Sequence, residues 1–264
     1  MQGVLQKIQV HVPFRLLREK LLPWVIREGI NPEIAFNHHD LDRFNEADFR
    51  EIAERLAESA PSVTFHAPFM DLRPGALDPR IRQISLDRLR QVFDLVPWFR
   101  PRSIVCHASF DEKYYVSAEA QWLENSLATW RTLLDGIAGT GTIVALENVY
   151  ERNPQPLKRL LSALDSPQAR FCFDTGHANV FGGVPSAVWM EELGDLLGEI
   201  HIHDNHGATD EHLPVGEGNI LFGELFAILR KRNLKPLFTV ESHSKKSLDR
   251  MLENLGAMGL AEFS

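Results

Sequence analysis

The chain has 264 residues, of which 44% are hydrophobic and 24% charged, with 17 Gly and 15 Pro. These ordinary globular values exclude a disordered, collagen-like or coiled-coil protein. The formal net charge of −8 argues against general affinity for nucleic acid or anionic membranes. No apolar run approaches the roughly 18 residues of a membrane span, and the N-terminal residues do not form a secretory signal. Two cysteines make no disulfide framework, so the sequence predicts a cytoplasmic protein.

Short apolar runs alternate with amphipathic stretches along the whole chain. The runs are rich in Val, Ile and Phe, as is typical of parallel strands buried on both faces. They predict strands at 4–12, 32–36, 62–66, 102–107, 142–147, 170–174, 199–203 and 236–241. Apolar residues at helical spacing predict helices at 14–28, 46–59, 80–98, 118–138, 154–164 and 185–197, and around 222–229 and 248–255.

Eight strands and eight helices in alternation predict an α/β protein with a closed (β/α)8 TIM barrel. No linker interrupts the pattern, so we expect residues 1–264 to form a single domain. A doubly wound sheet is disfavoured because the sequence after the first strand, His11-Val12-Pro13-Phe14, lacks a glycine-rich fingerprint. Long loops follow strands 3, 4, 6 and 7, which places the functional face at the C-terminal ends of the strands.

The 11 histidines fall at predicted strand ends or in the loops that follow them, and none lies in a predicted helix. Carboxylates repeat the pattern, since Glu147, Asp174 and Glu241 end strands 5, 6 and 8. Carboxylates that converge on one rim cannot all stay ionised without a cation. Mixed His and carboxylate ligands suit Zn²⁺, Mn²⁺ or a similar ion. The sequence therefore predicts a divalent metal site at the C-terminal face of the barrel.

Four ordered motifs carry a resemblance to a known family. They are Phe171-Cys172-Phe173-Asp174-Thr175-Gly176-His177, His201-Ile202-His203-Asp204, the segment from Asp210 and His212 to Asn219, and Val240-Glu241. As a set they resemble the xylose isomerase-like TIM barrel superfamily. That superfamily joins sugar and sugar-phosphate isomerases and epimerases with abasic-site nucleases of the endonuclease IV type (AP endonuclease family 2).

The resemblance implies a metal site of one to three ions. Four positions match the site that the epimerases and the nuclease share: Glu147, Asp174, His201 and Glu241. The others match further ligands of the trinuclear nuclease: His66 and His107 with bridging Glu147, and His177, Asp210 and His212.

The sequence also departs from both branches of the superfamily. Ala108-Ser109 replaces the Pro-Gly that usually follows strand 4 in the nuclease, and Val149-Tyr150-Glu151 replaces its Thr-Ala-Gly-like segment. The loop at 40–48 is acidic where DNA insertion would need positive charge. Asn153 and Gly207 stand where the epimerases typically hold their ketose with a glutamate and an arginine. Both activities therefore stay open.

The first hypothesis is a metal-dependent isomerase or epimerase of a small sugar or sugar phosphate. Glu147 and Glu241 would act as a general acid/base pair, and His177 would orient or polarise an oxygen. Tyr114 is a candidate pocket wall. Lys245 and Lys246, in the loop that opens the last helix, are candidates for a phosphate cradle. The simpler interpretation is that Ser244 or Ser247 caps this helix and the lysines are solvated.

Two alternatives stand beside it. An abasic-site endonuclease or other phosphodiesterase would use two or three metals, and DNA is a partner only in that case. A metal-binding barrel without catalysis is the third hypothesis. No membrane partner is expected, and each hypothesis is compatible with a homo-oligomer.

Overall fold

The protein was analysed as a computed structural model that describes residues 2–59, 62–242 and 244–260. Its eight strands are all parallel and close into one barrel in chain order. They are β1 Gln9–Pro13, β2 Asn31–Ala35, β3 Thr64–His66, β4 Ser103–His107, β5 Ile143–Glu147, β6 Ala169–Asp174, β7 Leu197–Ile202 and β8 Leu237–Val240. The predicted (β/α)8 barrel is confirmed.

Helices surround the strands. They are α1 Gln2–Leu5, α2 Phe14–Leu16, α3 Leu22–Glu28, α4 His38–Arg43, α5 Glu46–Ser59, α6 Pro79–Phe93, α7 Val96–Phe99, α8 Glu119–Gly136, α9 Gln155–Leu164, α10 Thr175–Val180, α11 Ser186–Leu193, α12 Phe222–Lys231 and α13 Lys245–Ala257. A π-helical segment, Leu17–Leu21, joins α2 to α3, and a 3-10 turn, Gly194–Leu196, leads into β7. Among the helices described, none is both long enough and apolar enough for a membrane span.

The main hydrophobic core lies between the barrel and the helices. On α9, Leu157, Leu160, Leu161 and Leu164 repeat at helical spacing and are all buried. Each such side chain contributes roughly 1.5–3 kcal/mol when it leaves water. Val105, Ala145 and Cys172 form a separate small apolar cluster. Because side chains alternate along a strand, this cluster lies inside the barrel, on the same faces as the strand ends His107, Glu147 and Asp174.

The structure differs from the prediction in two respects that concern β1 and the short helices. The first strand begins at Gln9 rather than at residue 4, because residues 2–5 form α1, whose buried Val4 packs near Gly256 of α13. The second difference is that α4 and α10, which the prediction did not include, contain His38, His39 and His177.

Both short helices begin with a side-chain cap. Asn37 accepts the amide N–H of Asp40, and Asp174 accepts that of His177. Six-residue helices are too short to show a helical period in the sequence, so their caps define them.

Candidate metal centre

Four side chains converge at the C-terminal mouth of the barrel. Nδ1 of His201 lies 3.1 Å from Oε1 of Glu147 and 3.1 Å from Oε1 of Glu241. Oδ2 of Asp174 lies 3.9 Å from the same nitrogen. Strands β5, β6 and β7 end at or near these residues, and Glu241 follows β8 directly. The structure therefore brings together the four ligands of the predicted shared site.

The polar atoms of this cluster fit a cation. Both carboxylate oxygens of Glu147 and Nδ1 of His201 are buried, and within the described chain they make no hydrogen bond. Burial raises the pKa of Glu147, but His201 and His107 outweigh it and hold that pKa well below its ordinary value. Burial also raises the pKa of Glu241, but His201 and His212 outweigh it and hold that pKa well below its ordinary value. Anionic carboxylates beside an imidazole are a donor set suited to Zn²⁺ or Mn²⁺.

The protonation of His201 also reflects this environment. Burial lowers its pKa, whereas the surrounding Cys172, Glu33 and Glu147 raise it well above the ordinary value. The imidazolium supplies the positive charge that the converging carboxylates require. A divalent cation held there by Glu147, Asp174, His201 and Glu241 would supply this positive charge in place of the proton.

A second group of predicted ligands lies on the side of β3 and β4. Oε2 of Glu147 is 2.8 Å from Nε2 of His107 and 3.4 Å from Nε2 of His66. The other nitrogen of His66 is 2.9 Å from the carbonyl oxygen of Ala67, which orients the ring. Ligand atoms of the three residues all lie within 4.8 Å of one another. Glu147 thus faces both groups, as a bridging ligand would.

A third group lies on the side of α10 and the loop after β7. His212 places Nε2 2.9 Å from Oδ2 of Asp210 and Nδ1 3.2 Å from Oε2 of Glu241. His177 places Nε2 3.5 Å from Oδ2 of Asp210. Burial lowers the pKa of His212, but Asp210 and Glu241 raise it to about 10. His212 also adopts a positive φ of 52°, a backbone strain that clusters at functional sites.

Three residues of the site, Glu33, His11 and His203, were not among the predicted ligands. Glu33 is fully buried in β2, with Oε2 3.2 Å from Nε2 of His201 and Oε1 3.1 Å from Nδ1 of His11. His203 places Nε2 3.1 Å from Oδ2 of Asp174, and its ring stacks on His212 at 4.0 Å. The signals in the sequence were an ionisable residue inside an apolar strand run and the alternation of His201 with His203.

A pocket of about 560 Å³ opens above this centre, a volume within the range of small-molecule sites. Part of the pocket wall is aromatic and consists of Phe69, Tyr150 and Phe181. Tyr114 is exposed at the rim, where its ring covers the pocket residue Arg73.

The two lysines of the predicted phosphate cradle lie outside the pocket. Lys245 and Lys246 are exposed at the start of α13 and are not among the residues that line the pocket. Ser244 caps that helix by accepting the N–H of Ser247 at 3.1 Å. His243, between the strand and this cap, lies outside the described residues.

Residues 29–258 match the model of the xylose isomerase-like TIM barrel family, and the chain belongs to that family. An uncharacterized protein of Methanocaldococcus jannaschii is 27% identical over 187 residues, which cover 68% of this chain. The match spans 64% of that protein, less than two thirds of its length. The L-ribulose 3-epimerase of a Methylomonas species is 32% identical over 149 residues, which cover 54% of this chain and 50% of the epimerase.

Solved structures share the fold over nearly the whole chain. A D-tagatose 3-epimerase-like protein superimposes with a TM-score of 0.78 at 23% identity, covering 95% of this chain and 97% of that one. A Thermus thermophilus protein soaked with ZnCl₂ gives a TM-score of 0.78 at 22% identity, covering 96% of this chain and 98% of the other.

Proposed function

We propose that the protein is a metal-dependent isomerase or epimerase of a small sugar or sugar phosphate. The observation that carries the proposal is the pair of buried carboxylates, Glu147 and Glu241, each 3.1 Å from Nδ1 of His201 at the base of a sugar-sized pocket. Membership of the family and the similarity to an L-ribulose 3-epimerase support it.

Glu147, Asp174, His201 and Glu241 would hold the metal, for which we propose Zn²⁺ or Mn²⁺. When bound, such an ion polarises a ketose carbonyl and its neighbouring hydroxyl, which eases proton loss from carbon. Glu147 ends β5 and Glu241 directly follows β8, and these two strands are three apart in the eight-strand barrel. One carboxylate can therefore accept a proton on one side of the sugar carbon while the other returns one from the opposite side.

His177 completes the acid/base set in this proposal. Burial lowers its pKa, but Asp174, Asp210 and Glu147 raise it well above the ordinary value. The imidazole then carries a proton that it can donate to a sugar oxygen. The ring of Phe181, which lines the pocket, lies 6.0 Å from the His177 ring.

A phosphodiesterase is the second candidate, and one observation favours it. The clusters His66–His107–Glu147 and His203–His212–Glu241 can each hold a metal, beyond what a mononuclear epimerase needs. Two or three ions would clamp a phosphate through attack and departure. DNA would be a partner only under this candidate.

Metal analysis of protein purified without chelator separates the candidates. We expect one ion per chain and conversion of a ketose; about three ions per chain with cleavage of abasic-site DNA would establish the nuclease instead. Bound metal without either reaction would leave a non-catalytic metal-binding barrel. Glu147→Ala should abolish metal binding, and unchanged metal content in this variant would refute the site assignment.

We further propose that residues 1–264 work as one domain in the cytoplasm. Both cysteines, Cys106 and Cys172, are free and buried, as suits a reducing compartment. The exposed Ile81 and Ile84 on α6 are compatible with a homo-oligomer.

A further inference from the structure

We propose that Arg73 forms an anion subsite at the pocket mouth, so that the substrate is a sugar carrying a phosphate or carboxylate group. The inference rests on the proposed function, because it takes the substrate to be a sugar whose reacting carbons lie at the carboxylate centre. Arg73 lies in the loop between β3 and α6.

Charge distinguishes Arg73 from the other residues of the pocket. Among the residues that line it in the described chain, Arg73 is the only lysine or arginine. Asp71 and Asp111 line the same pocket, yet within the described ranges no carboxylate oxygen comes within 4.0 Å of the Arg73 guanidinium. A permanent cation without an ion pair can receive an oxyanion through its planar fork of N–H donors.

The guanidinium is held by an aromatic ring. Its Cζ atom lies 4.4 Å from the ring centroid of Tyr114, which is a cation–π contact. Arg73 also acts on the buried Tyr115 hydroxyl, whose pKa burial raises and Arg73 partly lowers. Because burial raises the pKa of that hydroxyl above its ordinary value, Tyr115 does not form an ion pair with Arg73.

The backbone around Arg73 is anchored by three other parts of the chain. Its own N–H donates to Oγ of the buried Ser85 on α6 at 2.8 Å. Ser109 donates its hydroxyl to the Leu72 carbonyl at 3.0 Å, and Thr129 of α8 donates to the Pro74 carbonyl at 2.8 Å. These bonds fix the loop before any ligand arrives, which lowers the entropy cost of binding.

Gly75 shows how tightly this loop packs. A Cβ atom at this position would overlap Ser126 and Trp122 of α8. The loop therefore presents Arg73 from a packed scaffold, whereas Lys245 and Lys246 stand exposed and do not line the pocket. The anionic group of the substrate is therefore bound on the β3 side of the pocket mouth rather than on the β8 side.

Equilibrium binding to the metal-loaded protein tests the subsite with three matched probes: D-fructose, D-fructose 6-phosphate and D-fructuronate. Wild type should bind one anionic probe at least about tenfold more tightly than D-fructose, because a hydrogen bond to a charged group contributes that much to affinity. Arg73→Met should weaken that anionic probe about tenfold to a hundredfold while changing D-fructose by less than about twofold. The preferred probe tells a phosphate from a carboxylate substrate.

Two further variants make the test robust. Arg73→Lys keeps the charge and the aliphatic packing but removes the planar pair of guanidinium N–H donors. Its affinity for the anionic probe should therefore lie between those of wild type and Arg73→Met. Arg152→Met removes an arginine near the mouth that is already ion-paired with Glu112, and it should leave all three affinities unchanged. Equal binding of neutral and anionic probes by wild type, or an anion preference that survives Arg73→Met, would overturn the proposal.

Deuterium exchange from D₂O into the same probes separates this inference from the proposed function. Exchange into D-fructose that is equal in wild type and Arg73→Met, without any anion preference, overturns the subsite and leaves the isomerase. Anion binding that depends on Arg73, with no exchange into any probe, supports the subsite and counts against the isomerase.

Discussion

At the scale of single residues, Glu33 is a buried carboxylate that orients two imidazoles of the site. It accepts from Nε2 of His201, which leaves Nδ1 of that ring facing Glu147 and Glu241. Loss of such a supporting hydrogen bond typically lowers metal affinity 10–100-fold. We therefore expect Glu33→Gln to weaken Zn²⁺ or Mn²⁺ binding by about that factor, measured by competition with a chelator of known affinity.

Glu199→Gln is the matched control for this prediction. Glu199 is also fully buried inside the barrel and lies within 4.8 Å of His201 and Glu33, but it accepts its hydrogen bond from Thr239, at 2.6 Å, and not from His201. Its substitution should change metal affinity far less. Equal losses in the two variants would contradict a specific role for Glu33.

Glu151 makes folding stability depend on pH. It is buried behind the β5 loop, and burial raises its pKa from 4.5 to about 7. A group with a raised pKa contributes its full stability below the unfolded value and loses it as pH rises through the folded value. Relative to Glu151→Gln, wild type should therefore lose about 3 kcal/mol of unfolding free energy between pH 4.5 and pH 9.

Urea unfolding of both proteins across this range measures the difference. Gln can still accept the N–H of Val149, which Glu151 accepts at 2.8 Å, so the comparison isolates the charge. A difference that stays constant from pH 4.5 to pH 9 would refute the assignment of a raised pKa.

At the scale of elements, α10 begins at a residue of the candidate metal centre. Its cap Asp174 is also a candidate ligand, and Gly176 lies against the His203 ring that contacts Asp174. A Cβ atom at Gly176 would overlap that ring, so Gly176→Ala must displace His203. We expect the metal affinity of this variant to fall about tenfold or more, measured by the same chelator competition.

Gly136→Ala serves as the control for that substitution. Gly136 ends α8, and a Cβ atom there meets nothing within 4 Å. This variant should keep wild-type metal affinity. If Gly176→Ala also keeps it, the packing of α10 on His203 does not position the site.

The elements were predictable where a period is long enough to read. The strand ending at Glu147 and the helix around Trp130 follow directly from run length and apolar spacing. The helix α10 was not predictable, because six residues containing Gly176 show no helical period and its cap lies in what reads as a strand end. The predicted start of the first strand at residue 4 is wrong, because the apolar Val4 belongs to α1 and packs near Gly256 of α13.

At the scale of the whole molecule, barrel closure decides which residues meet. The sequence placed Glu147, Asp174, His201 and Glu241 on one rim, and the structure brings them together. The sequence shows Glu33 as an ionisable residue in an apolar strand run, but it does not show whether that side chain faces the barrel interior or the helices. Only the register of β2 against β1 and β3 sets that direction.

The same closure links global stability to the proposed cation. Converging carboxylates repel one another, so an ion that binds only the folded state stabilises it by mass action. At a free Zn²⁺ or Mn²⁺ concentration of about 100 times Kd, we expect the melting temperature of EDTA-treated protein to rise by about 5 to 10 °C. Differential scanning calorimetry measures the shift, and Glu147→Ala should show none. A shift of the same size in that variant would mean that the metal binds elsewhere.

The most direct test asks whether the barrel mouth is an acid/base centre for sugars. The metal-loaded protein is incubated with a panel of ketoses in D₂O, and NMR monitors the incorporation of deuterium. The predicted result is exchange at a carbon beside the carbonyl of at least one ketose, and its loss in both Glu147→Gln and Glu241→Gln. No exchange into any ketose by fully metal-loaded wild type, together with cleavage of abasic-site DNA, would contradict the proposed activity.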